Sequence, residues 1–210
     1  MNAASNLVST EYIIYMNDDM YACPQWDFAL FNDIEQIGHD NFFISSTMIE
    51  PNFSNNPCVI FSDEFGNDIT NFNEKKLLEN YNLIEKPDWS GATWPPNIVS
   101  KKLWDLVGGY SVEFSPGMYS DPDFSMKLWK SNIRYFKGLG KSRVFHFQCK
   151  TTHRIKKNNG KKQFVKKWGI TNSNFGQDYL RAGELFTGEL QEPRKKLLKT
   201  LKNRIRVALP

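Results

Sequence analysis

The chain has 210 residues and a formal net charge of +4, and 40% of its residues are hydrophobic and 14% aromatic. This length suits one domain with a hydrophobic core, or one domain with a tail, and the aromatic content excludes a disordered protein. The three cysteines are scattered, which argues against a disulfide-rich secreted protein. No apolar run reaches membrane-spanning length, and the N-terminus lacks the basic-then-apolar pattern of a signal peptide. We therefore expect a cytoplasmic protein and not an integral membrane one.

Charge is divided unevenly along the chain. Residues 1–125 contain 5 Lys and Arg against 19 Asp and Glu, whereas residues 126–210 contain 22 against 4. Such a division suits the binding of an anion through a metal ion and surrounding basic groups. Neutralisation of one half by the other across the fold, with a solvated basic tail, would produce the same pattern.

The first part of the chain alternates strand and helix signals. Residues 11–16 predict a buried strand that ends in Asn17-Asp18-Asp19, and the spacing after Pro24 predicts a helix that stops at Gly38. Further strands are predicted at 42–47 and 58–61.

The middle of the chain is rich in caps and breakers. A short helix is predicted after Asn73, and residues 86–97, with two Trp and three Pro, predict an aromatic loop without regular structure. Ser100 predicts the start of a helix over 101–107 that ends at Gly108-Gly109. The remaining predictions are a helix capped by Asp121 before Pro122 and running through Lys130, and strands at 133–136 and 143–147 separated by Gly138 and Gly140.

The C-terminal part is basic. Residues 194–207 predict an amphipathic helix with Leu197, Leu198, Leu201 and Ile205 on one side. Such a helix either attaches to an anionic membrane surface or packs its leucines on the domain. The alternation of strands and helices indicates an α/β class. We expect one domain over residues 1–170 and a basic helical extension over residues 171–210.

The acidic triplet is the first candidate site. Asp18 and Asp19 are adjacent carboxylates at a strand end, where repulsion is tolerated best if a cation compensates. Mg²⁺ and Mn²⁺ accept carboxylate oxygens and keep positions open for phosphate oxygens. An acidic turn without a ligand is the alternative.

The second candidate is the acidic helix start after Gly108-Gly109-Tyr110. Asp121 and Asp123 suit a helix cap and a first-turn charge that complements the helix dipole. A carboxylate placed beside a metal-bound diphosphate would instead serve as a general base toward an acceptor hydroxyl.

The third candidate is His146. It lies in an apolar strand, where alternation places it on the face of Val144 and opposite Phe145 and Phe147. A histidine in this setting is either a core residue or a group that points toward a site.

Taken in order, these motifs resemble the GT-A glycosyltransferases of the family 2 type, over residues 1 to about 150. The matching stretches are Tyr12–Met20, Gly108–Tyr110, Ser120–Leu128 and Val144–His146. The resemblance implies a partial GT-A-like mixed sheet flanked by helices. It also implies a hexosyltransferase-type reaction, in which a sugar moves from a nucleotide-diphosphate sugar to an acceptor hydroxyl with Mn²⁺ or Mg²⁺ bound and the anomeric centre inverted. The acceptor would be a carbohydrate or a lipid-linked molecule.

The resemblance also implies roles for particular residues. Asp19 and His146 would contact the metal, and Asn17 and Asp18 would lie toward the ribose or sugar. Asp121 would be the base, with Asp123 beside it. Lys150 and Arg154 would contact the diphosphate, and Trp89 and Trp94 would either stack on acceptor sugars or pack in the core.

Departures from the family pattern leave a second interpretation open. Asn17 stands where many members have Asp, and Ser120 stands in place of Glu. The family also places further strands before the acidic motif, whereas this sequence starts shortly before that strand. We therefore expect either a shortened enzyme completed by a second copy or a partner chain, or a non-catalytic carbohydrate-binding or partner-dependent remnant. Nucleic acid is not an expected partner, because no recognised motif accompanies the basic half.

Overall fold

The computed structural model describes residues 1–116, 118–149 and 158–194. Over these residues the chain forms one mixed β-sheet with helices on both faces, which confirms the α/β class. The strands are β1 (Tyr12–Tyr15), β2 (Met20–Ala22), β3 (Phe42–Glu50), β4 (Ile60–Phe61), β5 (Trp89–Ser90), β6 (Asn97–Ser100) and β7 (Tyr135–His146). The helices are α1 (Asn2–Ser5), α2 (Trp26–Ile37), α3 (Glu74–Asn80), α4 (Lys101–Val107), α5 (Ser120–Lys130), α6 (Gly160–Trp168) and α7 (Asn172–Asn174), with a 3-10 turn at Val112–Phe114 and a π-helical turn at Phe175–Tyr179.

The sheet is built around the parallel pair β3 and β7. Its strand order is β1-β6-β3-β7-β2, with β4 beside β3 and β5 beside β7. Every residue of β3 is buried, because the strand has neighbours on both edges and layers on both faces. Ile49 pairs with Phe145, so the residues that end these two strands, Glu50 and His146, lie side by side at the carboxyl edge of the sheet.

Each face of the sheet has its own hydrophobic cluster, because consecutive residues of a strand point to opposite faces. On one face Phe43 packs against Phe124 of α5, with ring centroids 5.6 Å apart. Phe175 belongs to the same cluster, so residues after 170 share this core. On the other face Phe42 packs beneath Leu30 of α2.

The helices with clear start and stop signals form where the sequence predicts them. The Ser100 hydroxyl accepts a hydrogen bond from the Leu103 amide at the start of α4, and Gly108 ends the helix with φ 72°. Helix α2 ends at Gly38 with φ 69°, and the Asn73 side chain caps α3. These ends are fixed by local chemistry, which is why the sequence alone predicts them.

Strand β1 is not the buried strand that its apolar sequence predicts. Among the described residues it pairs only with β6, so it lies at the edge of the sheet. Ile13 is 7% exposed and packs toward α4 and α5, whereas Ile14 on the opposite face is 37% exposed. The apolar run therefore reflects one covered face and one partly open face.

The contact between Trp89 and Gly138 explains why two further predictions, about strands 133–136 and 143–147 and about the loop 86–97, are wrong. Residues 133–136 and 143–147 are not separate strands, because β7 runs unbroken from Tyr135 to His146 and includes Gly138 and Gly140. Residues 86–97 are not wholly irregular, because Trp89 pairs with Gly138 as part of β5. A side chain on Gly138 would overlap the Trp89 indole, so this glycine serves a close approach and not a turn.

The predicted cap of α5 is also wrong. The helix begins at Ser120 after Tyr119, which has φ 83°, so Asp121 lies inside the first turn and not at the cap. The Tyr119 carbonyl accepts a hydrogen bond from the Asp123 amide at 3.1 Å. Asp121 is thereby left free of a capping role.

Some predictions concern residues outside the described ranges. These are the basic segment with Lys150 and Arg154 and all of the predicted helix 194–207 except Arg194. In the part of the chain that the structure describes, no helix is both long and apolar enough to cross a membrane.

Candidate functional site

The candidate site lies at the carboxyl edge of the sheet, where the turn between β1 and β2 meets the end of β7. Met20 pairs with His146, and the Phe147 amide donates to the Asp19 carbonyl at 3.0 Å. The Cys149 amide donates to Asp19 Oδ2, also at 3.0 Å. Two backbone amides of the segment that follows β7 therefore fix Asp19, although it lies in a turn.

His146 lies between two carboxylates. Its Nε2 is 3.3 Å from Asp19 Oδ2, and its Nδ1 is 2.9 Å from Glu50 Oε1. Asp19 and His146 are far apart in the sequence, and the fold brings them into contact. The imidazole thus has one nitrogen toward the turn and the other toward the interior of the sheet edge.

Glu50 is a site residue that the sequence reasoning missed. Its side chain is 7% exposed, and its second oxygen accepts a hydrogen bond from the Ser54 hydroxyl at 3.2 Å. Because the Glu50 carboxylate holds Nδ1, it sets the orientation of the His146 ring. Metal-binding histidines are commonly oriented by a second carboxylate in this way. The signal was present, because Glu50 is a carboxylate that directly follows an apolar strand, as Asp19 does.

The donor set at this edge fits a divalent ion only in part. Asp19 supplies a hard oxygen and His146 a ring nitrogen, a combination that suits Mn²⁺ better than Mg²⁺. Within residues 1–116, 118–149 and 158–194, no group of three or more His, Cys, Asp or Glu side chains is arranged to hold a metal ion. Among the described residues, Asp19 and His146 would therefore be the two metal ligands, and a bound phosphate and water would supply further ones.

Asp121 lies in a second part of the same region. Burial raises the pKa of Asp121 to about 6, against a lowering contribution from the Tyr110 hydroxyl, which donates to its Oδ1 at 3.1 Å. Tyr110 stacks edge-on against Tyr15, with ring centroids 5.6 Å apart. Tyr15, Tyr110 and Ser120 line a pocket of 350 Å³ beside Asp121.

Tyr15 connects Asp121 with the acidic turn. Burial raises the pKa of Tyr15. The negative charges of Asp121, Asp18 and Asp19 raise it further, so all three carboxylates act on one phenol. Asp18 is exposed in the turn, and Asn17 is partly buried beside it. The structure therefore brings five of the predicted site residues to one edge: Asn17, Asp18, Asp19, Asp121 and His146.

Asp123 is placed quite differently. It is fully buried, and its carboxylate accepts hydrogen bonds from the Ser111 hydroxyl at 2.6 Å and the Trp168 indole at 2.8 Å. Lys167 of α6 lies 2.9 Å from the same carboxylate. Asp123 thus holds α6 against α5 and offers no surface to a substrate.

The two predicted stacking tryptophans differ in exposure. Trp89 is 3% exposed, and its indole donates to the Thr47 hydroxyl at 2.8 Å. Trp94 is partly buried, and its carbonyl accepts from the Ser45 hydroxyl at 2.9 Å. The position of Trp89 matches the packing alternative, whereas Trp94 retains some exposure.

Comparisons with known proteins add no assignment. A scan of the chain against protein-family models finds no match, and a search of curated proteins finds none either.

Proposed function

We propose that this chain is a metal-dependent glycosyltransferase domain that moves a sugar from a nucleotide-diphosphate sugar to an acceptor hydroxyl. The observation that carries this proposal is the 3.3 Å contact between Asp19 Oδ2 and His146 Nε2 at the carboxyl edge of the sheet. Ligands of α/β sheets bind at this edge, and the two groups come from the acidic turn and the strand end that the family pattern pairs.

The proposed binding roles follow from exposure and charge. Asp19 and His146 would hold the divalent ion, which when bound would neutralise charge on the diphosphate and orient it. Asp18 is exposed next to them, and its carboxylate can accept hydrogen bonds from sugar or ribose hydroxyls. Lys150 and Arg154 remain proposed diphosphate contacts that lie outside the described residues.

The proposed base is Asp121. A carboxylate with a pKa of about 6 is ionised at neutral pH and still basic enough to take a proton from an attacking hydroxyl. Tyr110 fixes one carboxylate oxygen, which leaves the other for the acceptor. Attack from the side opposite the departing diphosphate would invert the anomeric centre in one displacement.

Further parts of the proposal concern partners. The open edge of β1 is where a second copy or a partner chain would add strands to the sheet. The basic residues 195–206 would hold the chain near an anionic membrane and a lipid-linked acceptor.

Titration calorimetry with UDP or GDP, with and without Mn²⁺, tests the metal site. We expect Mn²⁺-dependent binding to the wild type, and a loss of at least about tenfold in Asp19→Asn, because a charged metal ligand is removed. Asp63→Asn is the matched control, since Asp63 is an exposed carboxylate beyond β4. Nucleotide binding that Asp19→Asn leaves unchanged would overturn the metal site, and absence of nucleotide binding in the wild type would favour the non-catalytic remnant.

A further inference from the structure

A second cleft lies along α2, from Gln25 to Gln36, and the proposed reaction does not use it. Its volume is 620 Å³, within the range of small-molecule sites. The floor is formed by β7 and the walls by α2 and the segment that follows α3. Asp18, Asp19, Asp121 and His146 are not among the residues that line it.

The floor of the cleft contains a compensated lysine. Lys137 Nζ lies 2.5 Å from Asp33 Oδ1 and 3.0 Å from Asp88 Oδ2, and all three side chains line the cleft. The other Asp88 oxygen accepts from the Gly140 amide at 2.8 Å. Asp33 Oδ2 is buried and has no donor among the described residues, so one acceptor at the floor is left unsatisfied.

Two other cations at the cleft have no carboxylate partner among the described residues. Arg143 is 5% exposed, and its Nε donates to the Gly140 carbonyl at 2.8 Å while a second guanidinium nitrogen donates to the Tyr81 carbonyl. Neutral carbonyls leave the charge of a buried guanidinium uncompensated. Lys141, also of β7, is exposed at the floor of the cleft. Together these residues favour a negatively charged ligand group.

The rest of the lining is uncharged and combines four amide side chains with apolar residues and two aromatic rings, Phe28 and Tyr81. Gln25, Asn32, Gln36 and Asn82 also line this cleft, and within the described part of the chain their side-chain amides make no hydrogen bond to protein. Amides both donate and accept, which suits ligand hydroxyls. Phe28 is 61% exposed at the rim and offers an apolar face of the kind that packs on a sugar ring.

We propose that this cleft binds a polyhydroxylated anion, in chemical terms an acidic sugar. Lys141 and Arg143 receive the negative group, and the amides receive the hydroxyls. A ligand hydroxyl beside Lys137 supplies the donor that Asp33 lacks, after a small rotation of that carboxylate. This assignment does not depend on the transferase activity, because the residues involved are separate from the sheet-edge site.

Titrations of the ¹⁵N-labelled protein, followed by NMR, test the proposal with three probes: D-glucuronate, D-glucose, which keeps the hydroxyls, and acetate, which keeps the charge. We expect saturable shifts of the Asn82 and Gln25 side-chain amides with glucuronate, and binding about tenfold weaker for each of the other two probes. Equal affinity for glucose and glucuronate, or no saturable shift of these amides with glucuronate, would overturn the proposal.

Paired lysine variants locate the charge. Lys141→Gln should weaken glucuronate binding by about five- to tenfold, because it removes one exposed cation that makes no side-chain hydrogen bond to the described residues. Lys130→Gln, an exposed lysine at the end of α5, should leave it unchanged. Equal loss in both variants would indicate attraction by net charge alone and would count against a built site.

Discussion

The first turn of α5 carries two carboxylates that face different regions of the molecule. Asp123 faces α6, where Ser111, Trp168 and Lys167 all donate to it. Asp121 faces the sheet edge, where the Tyr110 hydroxyl is its donor and burial raises its pKa to about 6. The difference is one of compensation: a buried charge with a full set of donors stabilises the fold, whereas one with a single donor destabilises it and is available for chemistry.

The largest expected effect on stability is at Asp123, the carboxylate with several donors. Asp123→Ala should lower the free energy of unfolding by about 3–5 kcal/mol, because it removes a fully buried carboxylate and leaves Lys167 without that partner. Urea denaturation at neutral pH measures this. Glu113→Ala removes the other, more exposed carboxylate of Lys167 and should cost less than about 1 kcal/mol. Similar losses in the two variants would remove the distinction between buried and exposed partners.

For Asp121 we expect the opposite change: replacing this carboxylate should stabilise the protein at high pH. Its pKa rises from 3.8 in the unfolded chain to about 6 in the fold, so the folded state holds the proton more tightly. The contribution of Asp121 to stability is therefore present below about pH 4 and is lost as the pH rises through about 6. Asp121→Asn cannot ionise and should be more stable than the wild type by about 3 kcal/mol near pH 8, and no more stable near pH 3. A destabilised Asp121→Asn protein at pH 8 would contradict this.

Asp121→Asn also distinguishes two roles that Asp121 could have in the proposed transfer: base toward the acceptor, or contact with the nucleotide donor. The rate of transfer in the wild type should rise with pH through about 6, as Asp121 loses its proton. Asp121→Asn should abolish transfer and keep Mn²⁺-dependent nucleotide binding. Parallel losses of transfer and nucleotide binding would instead assign Asp121 to donor binding.

The smallest expected effect on stability comes from the single hydrogen bond between Tyr110 and Asp121. Tyr110→Phe removes the hydroxyl that lowers the pKa of Asp121, so the pKa should rise further. The unfolding free energy near pH 8 should fall by about 1 kcal/mol, and the pH at which stability is lost should move upward. Tyr119→Phe is a suitable control, because within the described residues the Tyr119 hydroxyl has no hydrogen bond. An unchanged pH profile in Tyr110→Phe would show that this bond does not act on Asp121.

Local chemistry explains how much of the fold the sequence predicts. Helix α4 is predicted to the residue because Ser100 and Gly108 fix its ends through their own backbone and side chains. A glycine at position 138 is typical of a turn. In the structure Gly138 lies inside β7, because Trp89, from a distant part of the chain, packs on it. That contact depends on tertiary structure, which no local pattern contains.

The candidate site shows the same limit. Strand ends mark Asp19 and His146 in the sequence, and the fold brings them together. The two acidic residues of α5 look equivalent in the sequence, and the partners that distinguish them, Tyr110 for Asp121 and Trp168 for Asp123, come from other segments. Their separate environments could therefore be read only from the structure.

The open edge of β1 has a consequence for how the protein behaves in solution. Glu11 precedes this short strand and Asp18 follows it, and both are exposed, so two identical edges brought together would place like charges at both ends. Dissolved ions screen such repulsion over about 10 Å at 0.1 M and about 3 Å at 1 M. We therefore expect self-association through this edge to increase with ionic strength, and a partner strand rich in lysine to be favoured over a second copy at low salt.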